Sequence, residues 1–249
     1  MPSSSGSWLY LMRSRLAVVV CTLVAIAACG SSPERRVEAP SGGTSAGTTA
    51  TATAAPAQTA TAAARPRLVV LGDSLTAGLG LPPEQAYPAL LQQSIDAEGL
   101  RFEVVNAGVS GDTSAGGLSR LDWALEGDVR FLVVALGGND ALRALPAEEL
   151  AQNLSTIIER AQARHITVVL AGMEAPRNFG HDYVVKFHQV YPDVAHKYNV
   201  ALVPFLLQDV AGIAALNQRD GIHPTQEGAK IVAKNVWSVL EPIVAAAHS

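Results

Sequence analysis

Short apolar runs alternate with longer segments of helical periodicity through residues 65–249. Runs such as RLVVL and FLVVAL are apolar throughout, which is typical of strands buried on both faces of a sheet. The predicted strands cover residues 67–71, 102–105, 131–136, 166–171 and 201–204. The predicted helices cover residues 87–97, 113–125, 146–164, 181–198 and 225–247. This alternation predicts an α/β fold, a three-layer α/β/α sandwich with a parallel five-stranded sheet at its centre.

The N-terminal part of the chain has a different pattern. Arg13 and Arg15 precede an unbroken apolar run over residues 16–28, which is short for a membrane span and typical of a signal peptide. The run ends in small residues followed by Cys29, and this resembles the lipobox of a bacterial lipoprotein, where cleavage leaves a lipidated cysteine. Ordinary signal cleavage without lipid is the alternative. Residues 1–29 are therefore predicted to be a lipoprotein-type signal peptide that exports the protein to the cell envelope or periplasm.

Residues 30–64 consist almost entirely of Ala, Thr, Ser, Gly and Pro, which predicts a flexible linker with too little apolar surface to fold. Residues 65–249 then form one folded domain. It holds 14 of the 18 basic residues and 20 of the 22 acidic ones, a formal charge of −6 without a basic patch, so nucleic acid is not an expected partner. Both cysteines, Cys21 and Cys29, lie outside the domain, which therefore has neither a disulfide nor a thiol nucleophile.

Polar loops follow the predicted strands, and in parallel sheets such loops form the binding sites. After the first strand, Ser74 lies between the strand and a glycine-bearing turn, where a serine can be exposed as a nucleophile. The alternative is a plain turn in which Asp73 or Ser74 caps a helix. After the second strand, Gly108 can bring its backbone N–H close to a ligand. Ser110 is a rival nucleophile, but Asp112 replaces the last glycine of the Gly-x-Ser-x-Gly pattern.

Two further loops carry an amide and an imidazole. Asn139 follows the third strand in a Gly-Gly-Asn-Asp sequence and can either point its amide into a site or cap the next helix. Asp220 and His223 lie three residues apart near the C-terminal end of the chain. That spacing lets the carboxylate hold one ring nitrogen while the other faces a serine, although a surface turn remains an alternative.

Together these loops resemble the sequence blocks of the SGNH, or GDSL, hydrolase family. The blocks are G-D-S-L at 72–75, Gly108, G-x-N-D at 137–140 and D-x-x-H at 220–223, and the resemblance covers nearly all of residues 67–244. Within the family, the stretches NAGVSGDT, PRNFG and DGIHP resemble the bacterial thioesterase/lysophospholipase and arylesterase group. No family-defining position departs from the pattern. The resemblance implies a flavodoxin-like SGNH fold and a serine esterase.

The resemblance also implies a role for each residue. Ser74 would be the nucleophile, His223 its general base and Asp220 the group that orients the base. The oxyanion donors would be the N–H groups of Ser74 and Gly108 and the side chain of Asn139. No cofactor or metal is implied. The expected partners are a small-molecule or lipid ester substrate and a membrane, the latter through a lipid on Cys29.

Three predictions are less specific. Leu142, Leu145 and Phe179 follow the site loops and suggest an apolar acyl pocket. A metal-dependent phosphoesterase is a rival enzyme, because aspartates follow the first and third strands, but too few carboxylates and histidines lie at those strand ends for a hard metal site. A non-catalytic, lipid-anchored binding protein is the second rival.

Overall fold

The computed structural model describes residues 65–247. The predicted signal peptide, the lipidation site at Cys29 and the linker over 30–64 lie outside the described residues, as do the last two residues of the predicted domain. Within the described part, no helix is both long enough and apolar enough to cross a membrane.

Parallel strands and helices alternate along residues 65–247, as the apolar pattern predicts. The strands are β1 (Arg67–Gly72), β2 (Glu103–Gly108), β3 (Val129–Ala135), β4 (Thr167–Ala171) and β5 (Ala201–Val203). The helices are α1 (Ser74–Ala77), α2 (Tyr87–Ala97), α3 (Ser114–Ser119), α4 (Leu121–Ala124), α5 (Gly138–Leu142), α6 (Ala147–Gln162), α7 (His181–Tyr198) and α8 (Gln226–Ala246). Short 3₁₀ turns cover Pro83–Gln85, Arg177–Phe179 and Ala214–Leu216.

The five strands form one parallel sheet in the order β2-β1-β3-β4-β5. The chain leaves β1 towards β2 on one side and then crosses to β3 on the other side of β1. Because successive right-handed crossovers then lie on opposite faces, the loops after β1 and β3 diverge and leave a crevice at the carboxyl ends of these strands. The register aligns Gly72 with Gly108 and with Ala135, so three strands end level with one another.

Helices cover both faces of the sheet. Helices α2 and α8 contact each other on one face, while α6 contacts both α3 and α7 on the other. The central strands are buried on both sides, and Leu68, Val70, Leu132 and Val134 have no exposed surface. Burial of this kind explains why these strands are apolar without alternation. The predicted α/β/α sandwich with its five-stranded parallel sheet is confirmed.

The segment predicted as one helix over 113–125 is instead two short helices, α3 and α4, which meet at Arg120. Glycines at 116 and 117 favour helix weakly, and the Arg120 side chain bonds carbonyl groups at the strand ends instead of extending into solvent. Helix α5 was not predicted, because its five residues are too short to show a period.

Candidate active site

The crevice between the ends of β1 and β3 contains the predicted nucleophile. Ser74 is the first residue of α1, directly after the Asp73 cap. The Asp73 side chain accepts a hydrogen bond from the Leu75 N–H at 3.0 Å. Because Asp73 caps the helix, the Ser74 side chain takes no part in capping and is free to act as a nucleophile. At the first helical position, the Ser74 N–H also has no partner within the helix.

Ser74, His223 and Asp220 form a continuous hydrogen-bonded chain. Ser74 Oγ lies 2.8 Å from His223 Nε2, and His223 Nδ1 lies 2.7 Å from Asp220 Oδ2. With the Nδ1–H donated to the carboxylate, Nε2 accepts the hydroxyl proton of the serine. The two loops are 149 residues apart in sequence, so the fold alone brings the imidazole to the serine.

Asp220 is held as an anion. Its Oδ1 accepts from the backbone N–H groups of Ile222 and His223, at 2.9 and 3.0 Å. The hydrogen bonds from the Ile222 N–H, the His223 ring and the His223 N–H lower the pKa of Asp220 to about 2. A carboxylate that stays charged fixes the tautomer of the neighbouring imidazole and favours the imidazolium that forms when the serine loses its proton.

Gln218 ties the loop of His223 to the loop of the nucleophile. Its side-chain amide donates to Leu79 O at 2.7 Å and to Pro224 O at 2.9 Å, and its backbone N–H donates to His223 O at 2.7 Å. Gln218 therefore links the main chain on both sides of the His223–Pro224 peptide bond to the main chain at Leu79. Sequence reasoning missed Gln218, because nothing in the local pattern indicates that residue 79 is its neighbour.

Asn139 lies on α5 with its side chain towards Asp73. Its Nδ2 donates to Asp73 Oδ2 at 3.3 Å. The helix cap is Gly137, and no side chain caps α5, so Asn139 is not the helix cap that the sequence left as an alternative. An amide nitrogen carries two hydrogens. One is used on Asp73, and the other remains available to a ligand.

Asp73 is the buried carboxylate of the site and is only 2% exposed. Burial raises the pKa of Asp73 to about 6, even though hydrogen bonds from Leu75 and Asn139 and the nearby His223 act to lower it. The sequence offers Asp73 as a helix cap or as a metal ligand, and not as a partner of Asn139. Its contact with Asn139 depends on the alignment of β1 with β3, which no local pattern reveals.

Gly108 lies against the nucleophile helix. A Cβ added at Gly108 would be 2.2 Å from Ala77 N, so only glycine allows the two backbones to approach this closely. Its N–H donates to Asn106 Oδ1 at 3.0 Å, while Asn106 Nδ2 donates to Thr76 O at 2.9 Å. To bind an oxyanion, as the family resemblance implies, the Gly108 N–H would have to leave Asn106.

A second glycine of the same loop has a freer donor. Gly111 has φ +88°, and the Asp112 N–H donates to Val109 O at 3.1 Å, as in a type II turn with glycine in its third position. Arg143, at the end of α5, donates to Gly111 O at 2.8 Å. Among residues 65–247, the Gly111 N–H has no hydrogen-bond acceptor. The signal for this donor in the sequence is the glycine of the Ser-Gly-Asp stretch, whereas the donor that the resemblance implies is Gly108.

The rival nucleophile Ser110 is exposed and has no hydrogen bond to a histidine in the described part of the chain. Over residues 65–247, no three His, Cys, Asp or Glu side chains are grouped to hold a metal ion. The hydrogen bond to His223 thus favours Ser74 over Ser110 as the nucleophile.

Comparison with known proteins agrees with this geometry. The sequence profile of the GDSL-like Lipase/Acylhydrolase family matches residues 70–231. The chain belongs to this family. Esterase TesA of Pseudomonas aeruginosa is 44% identical over 183 residues, which are 73% of this chain and 91% of TesA. Thioesterase 1/protease 1/lysophospholipase L1 of Escherichia coli (strain K12) is 36% identical over 184 residues, 74% of this chain and 87% of the relative.

A solved structure supports the same assignment. The crystal structure of TesA superposes with a TM-score of 0.69 at 44% identity and covers 71% of this chain and 99% of TesA. As a GDSL-like acylhydrolase with this fold, the protein is a serine hydrolase that acts on ester bonds. The predicted family, fold and enzyme class are confirmed.

The acylhydrolase has a cavity of about 960 Å³ beside the serine. Ser74, Asn139 and His223 lie in its wall. The rest of the wall is mainly apolar and is formed by Ala141, Leu142, Met173, Ala175, Val184, Phe205, Leu207, Ala211 and Ile222. Glu174 and Arg177 are charged residues of the same wall.

The apolar pocket suggested by the sequence is therefore present with mostly different residues. Leu142 lines it, but Leu145 and Phe179 do not. Phe179 instead packs edge-on against Tyr183, with ring centroids 6.0 Å apart, and the Tyr183 hydroxyl donates to Leu145 O at 2.9 Å. These contacts draw both residues towards α7 and away from the cavity.

Proposed function

We propose that the protein hydrolyses carboxylic esters or thioesters through an acyl-enzyme on Ser74, with His223 as general base and Asp220 as the group that orients it. The observation that carries this proposal is the unbroken chain of short contacts, 2.8 Å from Ser74 Oγ to His223 Nε2 and 2.7 Å from His223 Nδ1 to Asp220 Oδ2.

The steps follow from this geometry. His223 Nε2 takes the hydroxyl proton while Ser74 Oγ attacks the carbonyl carbon, and the carbonyl oxygen becomes an oxyanion. His223 then gives its proton to the departing alcohol or thiol, which leaves an acyl ester on Ser74. Water, deprotonated by the same nitrogen, attacks the acyl-enzyme and releases the acid. Asp220 stays ionised throughout and stabilises the imidazolium.

The oxyanion is stabilised by donors from the strand ends. The Ser74 N–H and the second amide hydrogen of Asn139 are two of them. The third is a backbone N–H from the end of β2 or from the loop that follows it. Gly108 was the candidate from the sequence, but its N–H is engaged with Asn106, and the unpaired N–H of Gly111 is the freer donor. Such donors stabilise charge that develops only in the transition state.

The substrate class follows from the cavity. A largely apolar space of about 960 Å³ beside Ser74 suits an apolar acyl or aryl group, and it lies in the size range of small-molecule pockets. The relatives are named as an esterase, a thioesterase/lysophospholipase and, in Vibrio mimicus, an arylesterase. We include all three ester types in the proposal.

The cellular setting is part of the same proposal. The apolar run before Cys29 supports export and a lipid anchor, and the low-complexity segment over 30–64 would link that anchor to the domain. A lipid-anchored acylhydrolase in the cell envelope could act on esters in or near a membrane.

A fluorophosphonate probe tests the chemistry directly. It should label the protein once, at Ser74, and Ser74→Ala should abolish both labelling and hydrolysis of p-nitrophenyl esters. Ser110→Ala, the matched control, should retain both. Labelling at Ser110 would overturn the assignment. A crystal structure of the Ser74 adduct identifies the third donor, because the true one will lie about 3 Å from the phosphonyl oxygen.

A further inference from the structure

Arg120 lies at the junction of α3 and α4, behind the nucleophile loop, and all three of its guanidinium nitrogens have partners. Nε donates to Asp112 Oδ2 at 2.6 Å, Nη1 to Ala107 O at 2.8 Å, and Nη2 to Gly72 O at 2.8 Å. The side chains of Arg120 and Asp112 are only 16% and 19% exposed. The planar guanidinium of Arg120 therefore donates hydrogen bonds to one carboxylate and two main-chain carbonyls.

The two carbonyls belong to the peptide units that lead into the site. Gly72 O is part of the peptide bond to Asp73, the residue before the nucleophile. Ala107 O is part of the peptide bond to Gly108. Because a peptide unit is planar, holding its carbonyl oxygen also fixes the direction of its N–H. The guanidinium thus sets two peptide planes at the adjacent ends of β1 and β2.

Asp112 extends the same contact to the turn of the β2–α3 loop. Its N–H closes the turn on Val109 O at 3.1 Å, and the Val109 N–H donates to Gly72 O at 3.0 Å, the carbonyl that Arg120 also binds. The turn that contains Gly111 is therefore attached to Arg120 at both ends. This holds the loop in place whether Gly108 or Gly111 supplies the oxyanion donor.

We propose that Arg120 is a positioning residue for ester hydrolysis, which holds the Ser74 loop and the β2–α3 loop in fixed relative orientation through Gly72 O, Ala107 O and Asp112. The inference rests on the proposed function, since it concerns how that chemistry is preorganised. It also explains Asp112, the residue that departs from the Gly-x-Ser-x-Gly pattern, as the anion that orients the guanidinium.

Lysine cannot replace this arginine. An ammonium group is a point charge on a flexible stem, whereas the guanidinium presents its donors in a rigid plane that reaches two carbonyls and a carboxylate together. Arg120→Lys in the full chain should lower kcat by about 10²-fold, because small misplacements of reacting groups cost about that much. KM should change little, since Arg120 does not line the cavity.

The matched control is Arg130→Lys, which alters an exposed ion pair between Arg130 on β3 and Asp128, the residue before that strand. It should retain wild-type kcat. Ester hydrolysis by the wild type and by this control tests the proposed function. The ratio of kcat between Arg120→Lys and Arg130→Lys tests the inference alone. A folded Arg120→Lys protein with the kcat of the control would overturn the inference.

Chemical rescue separates positioning from general destabilisation. Guanidinium ion, added well below unfolding concentrations, should raise kcat of Arg120→Ala and leave the wild type unchanged; an absence of rescue in a folded variant would count against the inference. If both Arg120 variants fail to fold, Asp112→Asn decides, because it retains an acceptor for Nε and loses only the charge. A kcat lowered by about tenfold with unchanged KM would support the inference, and a wild-type kcat would overturn it.

Discussion

Replacing Asp73 with asparagine should stabilise the protein at neutral pH and impair catalysis at the same time. Asp73 is 2% exposed, and its two carboxylate oxygens accept from the Leu75 N–H and from Asn139 Nδ2. Asparagine has nearly the same shape and retains an acceptor for Leu75, but it cannot ionise. The substitution therefore removes a buried charge and leaves the cap of α1 in place.

The size of the stability effect follows from the raised pKa. Burial raises the pKa of Asp73 from 3.8 to about 6. The folded protein therefore holds this proton at pH values where the unfolded chain has lost it, and stability falls as the pH rises from about 4 to about 6. A shift of about two units corresponds to about 3 kcal/mol. At pH 7 the buried carboxylate lowers the free energy of unfolding of the wild type by this full amount. Asp73→Asn has no such carboxylate and is not destabilised in this way.

The effect on activity has the opposite sign. In Asp73→Asn, the amide group of residue 73 would face the amide nitrogen of Asn139, and two donors cannot bond each other. Asn139 must turn, and its second hydrogen would then be lost as the oxyanion donor that we propose. Loss of one oxyanion donor lowers kcat by about 10²-fold, which is the reduction expected here.

Urea unfolding at about pH 4 and about pH 7, together with steady-state kinetics, measures both effects. The free energy of unfolding of the variant, relative to wild type, should rise by up to about 3 kcal/mol between these two pH values. Asp122→Asn, which changes an exposed aspartate paired with Arg160, should show no such rise. The reasoning is refuted if the difference between Asp73→Asn and wild type is the same at both pH values, or if kcat is unchanged.

Three further predictions concern other parts of the chain. Asn139→Asp should lower kcat by about 10²–10³-fold with little change in KM, because it removes a donor and adds a carboxylate beside Asp73; steady-state kinetics that give a normal kcat would remove Asn139 from the mechanism. Cys29→Ser should abolish lipid attachment, and mass spectrometry of a mature wild-type N-terminus without acyl groups would reject the anchor. A protein consisting of residues 65–249 should be soluble and active, since both the described fold and the site lie within it; inactivity or aggregation would contradict this.

The sequence by itself determined the class of fold and most of the chemistry. Continuous apolar runs predict doubly buried strands because burial on both faces leaves no polar side to alternate with. The Asp220–His223 spacing makes their contact a local one, because residues three apart are neighbours wherever the chain turns between them, as it does here. The local sequence pattern could not predict helix α5, because five residues show no period. It also could not predict the division of the 113–125 segment into two helices at Arg120, because that side chain bonds carbonyl groups distant in sequence.

Tertiary structure decided how the site is assembled. The serine and its histidine are 149 residues apart, and only the fold brings them together beside the crevice that the order β2-β1-β3-β4-β5 leaves at the carboxyl end of β1. The same alignment pairs Asn139 with Asp73 and places Gly108 against the nucleophile helix, where its N–H is engaged by Asn106. A sequence shows which side chains can donate and accept. Which donors stay unpaired depends on the packing of neighbouring strands, because hydrogen bonds between distant segments exist only once those segments are side by side.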